Sequence, residues 1–223
     1  INAFVIRDIK IKDNDLVLGV IYTILKPLFF VIVVSIAISY GFRGTTSDEV
    51  ILTFTFPLIF WFFFNDAAVQ ASNCLGTNSD LRSLPNIHPL TIIIGVVISN
   101  MILTFLLICF IFVGMNFVGL DVSIKNLMLS FFLISSFTLT YCLFAAVVFY
   151  NNSFLLKVHD LFLRALFFAS SVIVPINIFP ESFQKYLYLN PLAQIMDISR
   201  FINLGIFNPY LSYSYIFSCT IIF

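Results

Sequence analysis

The stretch VPINIFPESFQKYLYLNPLAQIMDISRFINLG, Val174 to Gly205, decides how this chain must fold. It holds Pro175, Pro180 and Pro191 and the charges of Glu181, Lys185, Asp197 and Arg200, inside a sequence that is otherwise mostly hydrophobic. The stretch is too polar to cross a bilayer and too apolar for a plain loop. Asn190 suits a helix N-cap, Pro191 suits the first helical turn, and Gly205 suits the position that stops a helix. These residues predict a helix from Pro191 to Leu204, about 21 Å long and so short of the ~30 Å hydrocarbon core. Upstream, Pro180 and Glu181 open a shorter helix with Phe183, Tyr186 and Leu187 on one face. Two short helices joined at Tyr188 to Pro191 make a re-entrant helical hairpin over residues 177–208. Backbone of that kind is tolerated at membrane depth only where protein or a water-filled cavity covers it. The competing arrangement is a pair of interfacial helices on the outer surface.

Outside this stretch the composition is that of a chain in lipid. Hydrophobic residues make up 61% and charged residues 10%, against about 45–50% and about 25% in soluble domains. The charges cluster, and the apolar runs between the clusters predict spans at 27–42, 50–71, 90–117, 126–150, 161–176 and 210 onward. They are helical because lipid offers no outside partner to backbone polar groups. The expected fold is therefore an all-α membrane protein of six transmembrane helices, one transmembrane domain over residues 1–223. Residues 1–26 form a cytoplasmic interfacial segment, residues 27–176 hold the first five spans, and residues 209–223 begin a sixth that runs out at Phe223. With the N-terminus inside, Arg7, Lys10, Lys12, Lys26, Arg82, Lys157 and Arg164 are cytoplasmic, leaving Arg43, Lys125, Lys185 and Arg200 outside; the excess favours that orientation.

Several functions are disfavoured. Zero net charge argues against a nucleic-acid surface. Cys74, Cys109, Cys142 and Cys219 are widely spaced and read as small buried hydrophobes, while His88 and His159 lack ligand spacing, so no metal site is expected. Neither GxxxxGK[ST] nor HExxH occurs, so if the protein uses ATP, the nucleotide and its Mg are expected on another chain, and neither a cofactor nor a catalytic residue is expected in this one.

Three places are patterned. In RDIKIKDNDLVLGVIYTILKPL, Arg7–Leu28, Tyr22 and Lys26 suit interfacial depth, with the lysine able to snorkel to the headgroups ahead of Pro27. This predicts a surface helix with Arg7, Lys10 and Lys12 in it. In the loop QASNCLGTNSDLRSLPNIHPL, Gln70–Leu90, Asn78 or Ser79 can cap a short helix with Leu81 and Leu84 on one face and Arg82 beside them, closed by Pro85 and Pro89, with His88 at the end of the loop. Such a helix can dock in a partner's groove, and the competing reading is a solvated loop. Asn65 and Asp66 interrupt an apolar run, and an ionisable residue there must face a helix partner, a dimer seam or a wet path.

These patterns resemble the membrane subunit of type-2 ABC exporters for bacterial surface polysaccharides, nearest to the capsular polysaccharide permeases. At the N-terminus the match is carried by Arg7, Asp8, Lys10, Lys12, Leu18, Gly19, Tyr22, Leu25 and Pro27, and near the C-terminus by Pro175, Pro180, Asn190, Pro191, Leu192, Asp197 and Arg200. The family usually has Trp at Tyr22 and Glu at Lys26. The resemblance implies a homodimer in the bacterial inner membrane, resting on two copies of an ABC ATPase and moving a lipid-linked polysaccharide from cytoplasm to periplasm; whether the exit meets a periplasmic adaptor is left open by it. On that basis the substrate-channel candidates are Tyr22 and Lys26 at the inner mouth, Asn65 and Asp66 along the seam, and Tyr186, Tyr188 and Arg200 near the outer gate. The ATPase stroke would enter through Arg7, Lys10, Lys12, Asn78, Leu81, Arg82, Leu84 and His88. The hairpin is framed by Pro175, Pro180, Asn190, Pro191 and Gly205. The rivals are export of O-antigen or teichoic acid and, in a different class, a membrane-embedded glycosyltransferase using Asp13 and Asp15.

Overall fold

The apolar runs become helices whose ends follow from local chemistry. The computed structural model describes residues 25–34, 36, 47–77, 88–119, 122–150, 152–204 and 212–222, and every regular element among them is helical. In order these are α1 (Leu25–Val34), α2 (Ser47–Thr77), α3 (Pro89–Val118), α4 (Ile124–Val148), α5 (Ser153–Ala169), a 3-10 turn at Ile176–Ile178, α6 (Glu181–Leu187), α7 (Pro191–Leu204) and α8 (Tyr213–Ile222). His88 caps α3: its Nδ1 accepts from the Leu90 N–H at 3.3 Å, with Pro89 in the first turn. That helix stops at Gly119, whose φ of 85° lets its N–H turn back onto the carbonyls of Met115 and Asn116, a conformation costly for residues with a Cβ.

The fifth helix corrects the expected span of 161–176. It runs from Ser153 to Ala169 because Asn152 caps it, Oδ1 accepting from the N–H groups of Phe154 at 3.0 Å and Leu155 at 3.3 Å. Its other end is set by Ser171, which takes a φ of 56° and breaks the helical path before Pro175 is reached. Lys157, Asp160 and Arg164 thus stand on the exposed side of a helix, while His159 and Leu163 face inward.

The core is built around α2, which packs against α4, α3, α7 and α5. Phe56, Phe60 and Phe64 are completely buried on it, and the Phe64 ring meets Tyr141 at 5.0 Å and Phe137 at 6.0 Å between centroids. Toward its C-terminal end Ala67, Ala71 and Cys74 meet Ile92, Val96, Cys142 and Ala146 of α3 and α4. Small residues there let the backbones approach closely, which matters where lipid supplies no hydrophobic drive between helices.

The outside is equally apolar. Along α3, Ile102, Phe105, Leu106, Phe110, Val113 and Phe117 are exposed, Phe117 to 88%. A ridge of that length exceeds what a water-soluble monomer shows. Pro89–Phe117 and Leu127–Val148 are each long and apolar enough to cross a membrane. Together these features describe a helical membrane protein. Among the described residues the other expected crossings correspond to α1, α2, α5 and α8; α1 is a short apolar helix and α8 covers ten residues. The expected surface helix before residue 25 and the loop helix around 78–87 lie outside the described residues.

Candidate functional site

The helix α6 follows Pro180 with no side-chain cap, whereas α7 stands where its cap places it. Asn190 Oδ1 accepts from the Leu192 N–H at 3.0 Å, while its amide nitrogen donates to the Ala169 carbonyl at 3.2 Å and the Ser170 hydroxyl at 2.9 Å. One side chain therefore starts α7 and anchors it to the end of α5. From Leu192 to Arg200 every residue of α7 is buried. A helix too short to cross is here sheathed by α2, α4 and α8.

Inside that sheath lies a polar cluster. The Arg200 guanidinium donates through Nη1 to Asp197 Oδ1 at 3.1 Å and to Ser171 Oγ at 3.0 Å, through Nη2 to the Val172 carbonyl, and through Nε to the Thr53 carbonyl at 3.0 Å. Tyr188 OH donates to Asp197 Oδ2 at 3.0 Å. Ser171 Oγ stands 3.1 Å from Asp197 Oδ1 and 3.0 Å from the Val174 carbonyl, within reach to donate to either. The Arg200 and Asp197 side chains are 4% and 9% exposed. Burying two charges costs several kcal/mol per ion, and their attraction offsets this only when the remaining donors and acceptors are matched. Here both carboxylate oxygens and all three guanidinium nitrogens have partners, so the cluster is a closed unit.

It also fixes the geometry of three segments at once. The Ser170–Val174 turn, α7 and the N-terminal part of α2 all converge on Arg200. Gln194 extends the set: its Nε2 donates to the Tyr188 carbonyl at 2.7 Å and its Oε1 accepts from the Ser212 N–H at 3.2 Å, while Tyr215 OH donates to the Leu189 carbonyl at 2.6 Å. The connection between α6 and α7 is thereby tied to the start of α8. Tyr188 and Arg200 are buried, 6% and 3% exposed, with their polar atoms engaged in this cluster. Tyr186, by contrast, is 74% exposed and sits beside the exposed Phe183.

A second polar contact joins α1 to α2. Lys26 Nζ lies 2.8 Å from Asp66 Oδ1 and 3.1 Å from Oδ2, and 5.1 Å from the centroid of the Phe62 ring; Asn65 Nδ2 reaches Asp66 Oδ1 at 3.4 Å. The lysine able to snorkel to the headgroups is here paired with the acid, the pairing by which ionisable groups on apolar helices avoid an uncompensated charge. Of the three environments open to Asp66, the one seen is a helix partner. Thr53 and Asp66 lie 13 positions apart on α2, about 20 Å along the axis, so the two polar contacts are separate.

Tyr22, Arg7, Lys10, Lys12, Asn78, Leu81, Arg82, Leu84, Gly205, Asp13 and Asp15 lie outside the described residues. Pro175 precedes the 3-10 turn and Pro180 precedes α6, with extended backbone angles at both. Asp197, Ser171 and Thr53 were not singled out as site residues, although Asp197 carried part of the family resemblance. Its spacing of three from Arg200 placed them on one helical face; nothing local pointed to Ser171 or Thr53. Two further interhelical polar contacts were missed. Asn100 Nδ2 donates to Gln70 Oε1 at 3.0 Å, and Tyr141 OH meets His159 Nε2 at 3.0 Å in a buried pair stacked on Phe149.

A short helix, α7, buried and braced by ionic groups inside an apolar helical bundle, together with two helices long and apolar enough to cross a bilayer, fits the class of helical membrane proteins. No family model matches the chain. Over 204 residues, 90% of this chain and 79% of the relative, it is 22% identical to the polysialic acid transport protein KpsM of Escherichia coli, and a second KpsM sequence from the same organism matches to the same extent.

Proposed function

We propose that this chain is the permease subunit of an ATP-driven exporter that moves lipid-linked capsular polysaccharide across the bacterial inner membrane, from cytoplasm to periplasm. It works as a homodimer of six-span subunits, N-terminus inside, on two copies of a separate ABC ATPase that binds the ATP and Mg. The observation that carries this reading is the combination of a similarity to KpsM spanning 90% of the chain with a short helix, α7, buried at the heart of the bundle. A polymer needs a continuous, wet and weakly binding conduit, since tight sites would stall it. The hairpin is the irregular backbone that membranes accept next to such a conduit, and Tyr186 supplies an exposed ring for sugar C–H edges. O-antigen and teichoic acid export share the same mechanics and differ in cargo.

Deletion of the gene in its host tests the class. Polysaccharide accumulating inside the cell supports export; loss of synthesis, with export of preformed polymer intact, replaces it with an envelope enzyme. Co-purification with an ATPase whose hydrolysis depends on this chain tests the partnership.

A further inference from the structure

Pro57 lies within α2, between Phe56 and Leu58, both completely buried. Proline has no N–H, so it cannot donate to the carbonyl four residues earlier, and its ring crowds that carbonyl. The residue four earlier is Thr53, and its carbonyl is where Arg200 Nε arrives at 3.0 Å, from 147 positions away in sequence. In lipid, a proline in a helix is tolerated when a neighbouring group serves the carbonyl it releases. Arg200 does so while its other nitrogens hold Asp197, Ser171 and the Val172 carbonyl.

We infer that Pro57 and Arg200 form a latch. Pro57 gives α2 a point at which its first turns, Ser47–Phe56, can bend relative to the rest, and Arg200 fastens those turns to the hairpin. The physical basis is a matched exchange. While Arg200 is seated, the Thr53 carbonyl has a charged donor and α2 is held in line; when the hairpin moves away, that donor leaves and the N-terminal turns of α2 are released together with it. Sharp helix bends arise at proline, so the release has a defined position. Arg200 is thus a positioning residue, acting through the α2 backbone. That this motion accompanies opening for a polymer rests on the export reading; the latch itself rests only on the Pro57–Thr53–Arg200 geometry.

The test uses the full chain with its partner ATPase in lipid nanodiscs and reads amide hydrogen exchange over residues 47–56. In Pro57→Ala the restored N–H serves Thr53 within the helix, so Arg200 should become dispensable there. Arg200→Gln is expected to speed exchange of these amides about tenfold in the native background and less than about twofold in Pro57→Ala. Arg200→Lys, which keeps a charge beside Asp197 but lacks the planar fork, should behave like Arg200→Gln at 47–56 and serves in its place if Gln prevents folding. An equal effect in both backgrounds, or none in either, overturns the latch. If exchange responds as expected yet polymer export is unchanged in Pro57→Ala, the latch stands and its part in opening is refuted. If the native chain exports no polymer, the export reading fails while the exchange result still judges the latch.

Discussion

Lys26 and Asp66, 40 positions apart, meet at 2.8 Å and pin α1 to the C-terminal half of α2. Their side chains keep 34% and 27% exposure, so the pair stands between a surface ion pair and a buried one. Exposed pairs contribute about 0–1 kcal/mol, whereas removing one partner of a fully buried pair costs about 3–5 kcal/mol.

The expected cost of Lys26→Ala or Asp66→Ala alone is therefore about 1–2 kcal/mol, after allowing for solvent screening. The exchange of Lys26→Asp with Asp66→Lys should recover more than half of it. Thermal unfolding in detergent of the native chain, the two single Ala variants and the double Ala variant gives the coupling as a double-mutant cycle, with the exchanged pair measured beside them. A coupling energy indistinguishable from zero would show that the contact holds nothing.

Ser171 offers a case in which two effects oppose each other. Its left-handed φ of 56° costs roughly 1–2 kcal/mol for a residue with a Cβ, so Ser171→Gly relieves strain. The same change removes the hydroxyl that accepts from Arg200 and stands within reach of Asp197 and Val174. Hydrogen bonds to charged groups contribute about 1.5–3 kcal/mol each, and a partner left buried without one is costlier still. The loss outweighs the gain, and Ser171→Gly should destabilise by about 1–3 kcal/mol. A higher melting temperature in the Gly variant would contradict this ordering.

Tyr186 tests the exposed face of α6. At 74% exposure its removal should leave folding nearly untouched, since surface substitutions usually fall within about ±0.5 kcal/mol. If the ring contacts polymer, Tyr186→Ala lowers the polysaccharide that reaches the cell surface several-fold while protein level and melting temperature hold. Unchanged surface polysaccharide would remove Tyr186 from the path.

The starts of α6 and α7 were legible because they depend on neighbours in sequence, whereas the start of α5, expected at 161, lies at Ser153 behind the cap Asn152. Asn190 with Pro191 marked the start of α7, and Pro180 marked that of α6. The end of the fifth helix was misplaced by seven residues because Ser171, not Pro175, breaks it, and an unusual φ at a serine has no local signature. The candidate site was legible only in part. Arg200, Tyr188 and Asp66 stood out as polar residues in apolar company, yet their partners did not. Thr53 enters through its backbone carbonyl and Ser171 through a turn between helices, and neither feature has a side-chain pattern to read.

By itself the sequence determined that this chain lives in lipid, that its backbone is helical, and where α6 and α7 begin. Composition and caps act over a few residues, so no tertiary information was needed. Only the tertiary structure decided which charge answers which: Lys26 with Asp66, and Arg200 with Asp197, Ser171 and the carbonyl that Pro57 leaves without its usual donor. In a low-dielectric interior every such group must find a partner, but which partner depends on the helices that happen to pack beside it, and that is a property of the whole bundle.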